Sequence, residues 1–293
     1  PSFRAQQARR ARRTAAGCAM AAVACAPALV ATVGNDDYEH LRTLRYCAHD
    51  ADRFQAAAGA LGFEAPPAFQ LRNARTQQVK DCLDEMVNFL SVWPGPKRSG
   101  GACAGVVLLL YAGHARQRRN RRYPSLLGVE SHGLGAGTDG PSVETDDVLR
   151  QLNGLRAVDC LQRFVFIILL DSCRSVTRTG GTCSAEEPLA MRYSQHDFIF
   201  VYACSPGRVA LDGVRFAAAL LPYLAREGLD LFHAVREAAD DVARHTSRFQ
   251  LPWLETNCVT RLNLASRRNV GTCGHCGLLR SHAFEVVEGP YGE

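Results

Sequence analysis

The chain is 293 residues long, 47% hydrophobic and 22% charged, with a formal net charge of +5. That length supports a full hydrophobic core, so the twelve cysteines are not needed as a disulfide framework and read as small buried hydrophobes of a reducing, cytoplasmic compartment. The positive charge sits in two places, Arg4–Arg13 and Arg116–Arg122, and the remainder is slightly acidic; this excludes a general nucleic-acid-binding surface, and no run reaches the roughly 18 apolar residues of a membrane span.

Residues 1–27 are basic and then Ala-rich, and are expected to be a disordered extension; their composition superficially resembles a targeting leader, with Met20 as another possible start. From there short apolar runs alternate with amphipathic segments, the pattern of an α/β domain with a mostly parallel sheet. Ala28–Val33 reads as the first strand, closed by the turn-forming Gly34-Asn35-Asp36-Asp37. A helix follows over 47–61, with Ala51, Phe54, Ala58 and Leu61 on one face, then a short strand at Phe69–Leu71. Val79, Leu83, Met86, Val87 and Leu90 recur at helical spacing over 76–90, and Pro94-Gly95-Pro96 stops that helix.

Val106–Tyr111 is a continuous apolar run, as a central parallel strand requires. The polar, Gly-rich stretch 113–142 reads as loop, and 144–156 as a helix with acids at its start. Phe164–Leu170 and Phe198–Ala203 are the next strands, separated by a loop over 174–196. Helices near 214–226 and 229–245 precede a last strand at Val259–Leu264, and 265–293 shows no pattern and reads as a tail.

Two of these strands run into reactive residues. Val106–Tyr111 leads into Ala112-Gly113-His114-Ala115, and Phe164–Leu170 into Asp171-Ser172-Cys173-Arg174. Sites in open α/β sheets form beyond the carboxyl ends of strands, so neighbouring strands would bring His114 and Cys173 to one edge. An imidazole beside a thiol can take its proton and later protonate a leaving amine. Each residue alone has an ordinary structural explanation; the shared placement makes the pair a candidate dyad.

The stretches "ALVATVGNDDYEHLRTLRYCAHDADRF", "LLLYAGHA", "ILLDSCRS" and "YACSPGRVALDG" resemble, in this order, motifs of the caspase-like superfamily. They are most similar to those of paracaspases and metacaspase-like proteins, over about residues 28–264. The resemblance implies a caspase-type three-layer α/β/α sandwich, with a larger subdomain over about 28–173, a linker over 174–196 and a smaller subdomain over 197–264. It implies a cysteine endopeptidase acting through a thioester acyl-enzyme, with Cys173 as nucleophile and His114 as acid/base. The oxyanion would lie between the backbone N–H groups of Cys173 and Ala115. Glycine is usual at the second position, and alanine would be strained there if φ had to be positive.

The resemblance also implies a first substrate pocket lined by Asp50, Asp171 and Asp212. Converging carboxylates select a substrate with arginine or lysine before the cut, the P1 residue. Such a specificity would turn the enzyme on its own arginines, with Arg116–Arg122, Arg174 and Arg178 in expected loops near the site.

Other signals are slighter. Cys273-Gly274-His275-Cys276 has no second ligand pair and reads as a tail motif without a metal role. No cofactor is expected; the calcium activation known for several metacaspases has only Glu144, Asp146 and Asp147 to point to, which serve equally as a helix N-terminus. Two further readings remain: a catalytically silent caspase-like scaffold, favoured by Ala115, and a nucleic-acid or membrane-surface binder acting through its arginine clusters.

Overall fold

The computed structural model describes residues 23–25, 29–93, 103–117, 123–132, 140–155, 163–173, 196–258, 260–265 and 284–288. In chain order the elements are strands β1 (Val23–Cys25) and β2 (Val30–Gly34), helix α1 (Cys47–Ala60), strand β3 (Gln70–Arg72), helix α2 (Thr76–Ser91), and strand β4 (Cys103–Ala112). Next come β5 (Ala115–Arg116), β6 (Ser125–Leu127), β7 (Ser142–Glu144), helix α3 (Thr145–Asn153), β8 (Arg163–Asp171) and β9 (Asp197–Tyr202). Helices α4 (Phe216–Leu224) and α5 (Leu231–His245) precede β10 (Trp253–Thr256), β11 (Thr260–Asn263) and β12 (Phe284–Glu288).

A six-stranded sheet runs β10-β9-β8-β4-β2-β3, parallel throughout except for β10, which is antiparallel to β9. Its strands alternate faces residue by residue, as the two-residue period of a strand demands. Along β8, Val165, Ile167 and Leu169 join one apolar cluster with Ala51, Phe54 and Ala58 of α1, Leu220 of α4 and Val235 of α5. Phe164, Phe166, Ile168 and Leu170 join the other, with Val79, Met86 and Leu90 of α2 and Val148, Leu149 and Leu152 of α3. Three helices thus cover one face and two the other, the expected three-layer sandwich.

Close approach of α1 to the sheet is set by Gly34, where a Cβ would lie 2.4 Å from the Cys47 carbonyl oxygen. Asp36 holds the start of the same helix, one carboxylate oxygen accepting from the Cys47 N–H at 2.8 Å and the other from the Ala48 N–H at 3.1 Å. A carboxylate on exposed helix-start donors also suits the helix dipole.

Four expectations need correction. The stretch 113–142, read as loop, contains β5, β6 and β7, a small antiparallel sheet of very short strands whose polar and glycine content hides their pattern. Arg116, expected in a loop, lies in β5 and is buried. The edge of the main sheet is β10, missed because Trp253–Thr256 is short and mixed in polarity, with Trp253 half exposed. The strand expected at Val259–Leu264 is present as β11; what differs is that the expected extension and tail each supply a strand, β1 and β12, which form a separate three-stranded sheet with it. The expected linker 174–196, Arg118–Arg122, Arg174, Arg178 and the Cys273–Cys276 motif lie outside the described residues, apart from His196.

Candidate active site

The site begins with the register of two central strands. β4 and β8 pair in parallel to their last residues, Ala112 opposite Asp171, and the Gly113 N–H continues the ladder to the Asp171 carbonyl at 3.2 Å. His114 and Cys173 each stand two residues beyond that final pair. Both line one cavity of about 240 Å³, which is closed by Tyr46, Cys47 and Asp50 at the start of α1 and by the 209–215 segment before α4.

The turn between β4 and His114 is fixed by two tyrosines. Tyr111 donates its hydroxyl to the His114 carbonyl at 2.5 Å and receives the Leu127 N–H at 3.1 Å. Tyr38 accepts the His114 N–H at 2.7 Å, and its ring lies 4.6 Å from the imidazole. Burial pushes both phenols well above their ordinary range, so they stay neutral and able to donate. A Cβ on Gly113 would lie 2.6 Å from the Tyr38 hydroxyl and 2.9 Å from that of Tyr111, so only glycine passes between them. Asn35, fully buried, ties the neighbouring loops together: its amide donates to the Ala74 and Leu127 carbonyls at 3.3 and 3.2 Å, and its oxygen accepts the Ala74 N–H at 2.8 Å. Tyr38, Tyr111 and Asn35 were not singled out in the sequence, where two tyrosines and a turn asparagine carry no signal of their joint position.

The imidazole Nε2 lies 2.7 Å from the Arg42 carbonyl. A carbonyl only accepts, so Nε2 carries a proton, and in the neutral tautomer this contact selects the lone pair lies on Nδ1. The Cys173 thiol donates to the Ala210 carbonyl at 3.4 Å. Burial, with the charge of Asp171 adding to it, pushes that thiol above its ordinary range, so the resting sulfur is a thiol rather than a thiolate. Ala115 opens β5 and does not take a positive φ, so the strain conceived for alanine at this position does not arise.

The three acids separate into different roles. Asp171, facing the cavity, accepts the Ala217 N–H at 2.8 Å, and burial chiefly, then the nearby charge of Asp50, pushes its carboxyl up to about 7. Asp50 is buried and already paired: Arg215 Nε donates to its two oxygens at 2.8 and 3.0 Å, and Nη2 bonds it as well. Asp212 accepts the Arg45 N–H at 3.1 Å and lies 3.9 Å from the Arg42 guanidinium, so it also fastens the 36–46 loop to the 209–215 segment. Arg215 went unnoticed in the sequence, since nothing local distinguishes an arginine before a helix.

The residues considered for calcium do not converge. Glu144 accepts from the Ser125 and Ser142 hydroxyls at 2.9 and 3.0 Å, and Asp147 is bound to Arg150. Among the described residues no three His, Cys, Asp or Glu side chains gather as a metal site. These acids do not fit a resident ion, and no step is assigned to one.

A thiol and an imidazole thus stand together at the carboxyl ends of paired parallel strands, over a partly acidic cavity, where sites of open α/β sheets form. The chain matches the model of the caspase domain over residues 28–263 and belongs to that family of cysteine peptidases, which act on protein substrates. Among solved structures it is similar to caspase-1 from Spodoptera frugiperda, at 14% identity and a TM-score of 0.54, over 84% of this chain and 92% of that one; this is a likeness of fold. A search of curated proteins returned no match. Among the described residues no helix is long and apolar enough to cross a membrane.

Proposed function

We propose that the chain is a cysteine endopeptidase that cuts after a basic residue, with Cys173 as nucleophile and His114 as acid and base. Its four motifs, with an acid two residues before the nucleophile and another in the first turn of α1, are most similar to those of the paracaspase and metacaspase-like branch. The observation that carries the reading is the equal extension of His114 and Cys173 past the Ala112–Asp171 pair into a cavity that Asp50, Asp171 and Asp212 also line.

In this mechanism the substrate displaces the Ala210 contact, and His114 Nδ1 takes the proton from Cys173 Sγ. The thiolate attacks the carbonyl carbon, and the negative oxygen is received by the N–H groups of Ala115 and Cys173. His114 returns the proton to the leaving amine as the C–N bond breaks, which leaves a thioester. Water then attacks that thioester with His114 as base, releasing the acid and the free thiol. The Arg42 carbonyl keeps the ring in the required tautomer and stabilises the imidazolium between the two transfers. The P1 cation enters the cavity beside Asp171, and the same preference exposes arginines of the chain itself to cutting.

A scan of fluorogenic peptides varied at P1 tests the reading. Turnover confined to basic P1, with kcat/KM falling by about 10³-fold or more in Cys173→Ala and in His114→Ala, is the expected result. Turnover that survives Cys173→Ala removes the nucleophile, and an intact, well-folded enzyme without turnover leaves the silent scaffold. Prolonged incubation of the same samples reads self-cutting as Cys173-dependent fragments.

A further inference from the structure

Arg215 is a charged feature of the cavity wall that the mechanism does not use. It lies at the residue before α4 and lines the same cavity as Cys173, His114 and Asp171. Its guanidinium is fixed from several sides: Nε against both Asp50 oxygens, Nη2 against Asp50 and 2.8 Å from His49 Nδ1, and the carbon of the fork 5.1 Å from the centre of the Tyr46 ring. A group with so many partners is part of the wall rather than a movable plug.

We infer that Arg215 is a specificity-determining residue, which occupies the fork-binding face of Asp50 and thereby makes the pocket prefer P1 lysine over P1 arginine. The inference rests on the reading of this cavity as the first substrate pocket. A P1 guanidinium gains its advantage from two parallel N–H···O bonds to one carboxylate. At Asp50 both oxygens already serve Arg215. At Asp171 one oxygen, Oδ2, already accepts the Ala217 N–H, so a fork there would have to share that oxygen with the backbone. The ammonium of lysine is compact and carries three donors that can point separately, so the remaining oxygen of Asp171 and nearby backbone carbonyls satisfy it. At Asp212 one oxygen, Oδ1, accepts the Arg45 N–H, and the other lies 3.9 Å from the Arg42 guanidinium.

The experiment compares kcat/KM on peptide pairs that differ only in P1 lysine or arginine, for the wild type, Arg215→Ala and Arg215→Lys. The expected wild-type preference is roughly fivefold or more for lysine. Arg215→Ala frees the Asp50 fork, and the substrate's own guanidinium replaces the missing one, so the arginine-to-lysine ratio rises by roughly tenfold or more. Arg215→Lys keeps the buried charge of Asp50 paired, so it protects the fold while releasing part of the fork, and its ratio falls between the other two. Melting curves confirm which variants are folded, and the lysine variant decides the matter if the alanine variant is not. Basic-P1 cutting with a ratio unchanged in the folded variants overturns this inference alone. Cysteine-dependent cutting only after non-basic residues overturns the reading of the pocket, and the inference falls with it.

Discussion

The Asp171 carboxyl, pushed up to about 7 by burial, makes stability depend on pH and, on the proposed reading of the pocket, P1 binding as well. A carboxyl whose folded value lies above its unfolded one binds more protons when folded across the interval between them. Its contribution is therefore most favourable below about pH 4 and declines as pH rises through 7. Above that the folded protein carries a buried charge at a cost of roughly 2–4 kcal/mol. Asp171→Asn removes the charge and keeps an oxygen for the Ala217 N–H. The variant is expected to melt several degrees above the wild type at pH 8 and level with it near pH 4. Its kcat/KM on basic P1 peptides should fall by roughly tenfold or more, and wild-type turnover of those peptides should decline as pH drops below 7. Equal melting temperatures at pH 8 would show that the charge costs the fold nothing.

At the scale of elements, the site is held by contacts between loops that are far apart in sequence. Asn35 alone bridges the end of β2, the loop before α2 and the end of β6. Asn35→Ala leaves the buried Ala74 N–H without its acceptor and takes one donor each from the Ala74 and Leu127 carbonyls, which keep the Val129 N–H and the Tyr111 hydroxyl, so it should cost roughly 1–3 kcal/mol in urea unfolding. Since Leu127 is also tied to His114 and to Tyr111, kcat/KM should fall in the folded variant as well. An unchanged unfolding midpoint would mean that water replaces the lost bonds. These contacts also mark what the sequence could and could not disclose. Helical periodicity made α1 and α2 legible and continuous apolar runs β4, β8 and β9, and strand-end placement brought His114 and Cys173 forward. The strands β5, β6 and β7 were illegible because two or three residues cannot display a period of two. Arg215 and Asn35 were illegible for another reason: their roles depend on partners 165 and up to 92 residues away. An acid such as Asp50 can be found from its motif, but whether it is free or already paired is a property of the folded chain.

At the scale of the molecule, β8 is the spine of the sandwich, with one apolar cluster on each side. Phe166 is fully buried in the α2/α3 layer and stacked on Phe198 at 5.2 Å between ring centres. Phe166→Ala leaves a large void at the middle of the sheet and is expected to cost about 3–5 kcal/mol. Against a usual total of about 5–15 kcal/mol, that loss lowers the melting temperature markedly and leaves the chain foldable in the cold. The residue lies five positions before Asp171, about 16 Å along the strand. The register that sets the site, from Val106 opposite Val165 to Ala112 opposite Asp171, consists of backbone pairs that the truncation does not remove. At a temperature well below the lowered melting point, kcat/KM should therefore stay within about threefold of the wild type while the activity's half-life on warming shortens. A loss of kcat/KM in the fully folded variant would mean that side-chain packing inside the sheet, and not the strand register alone, sets the relation of His114 to Cys173.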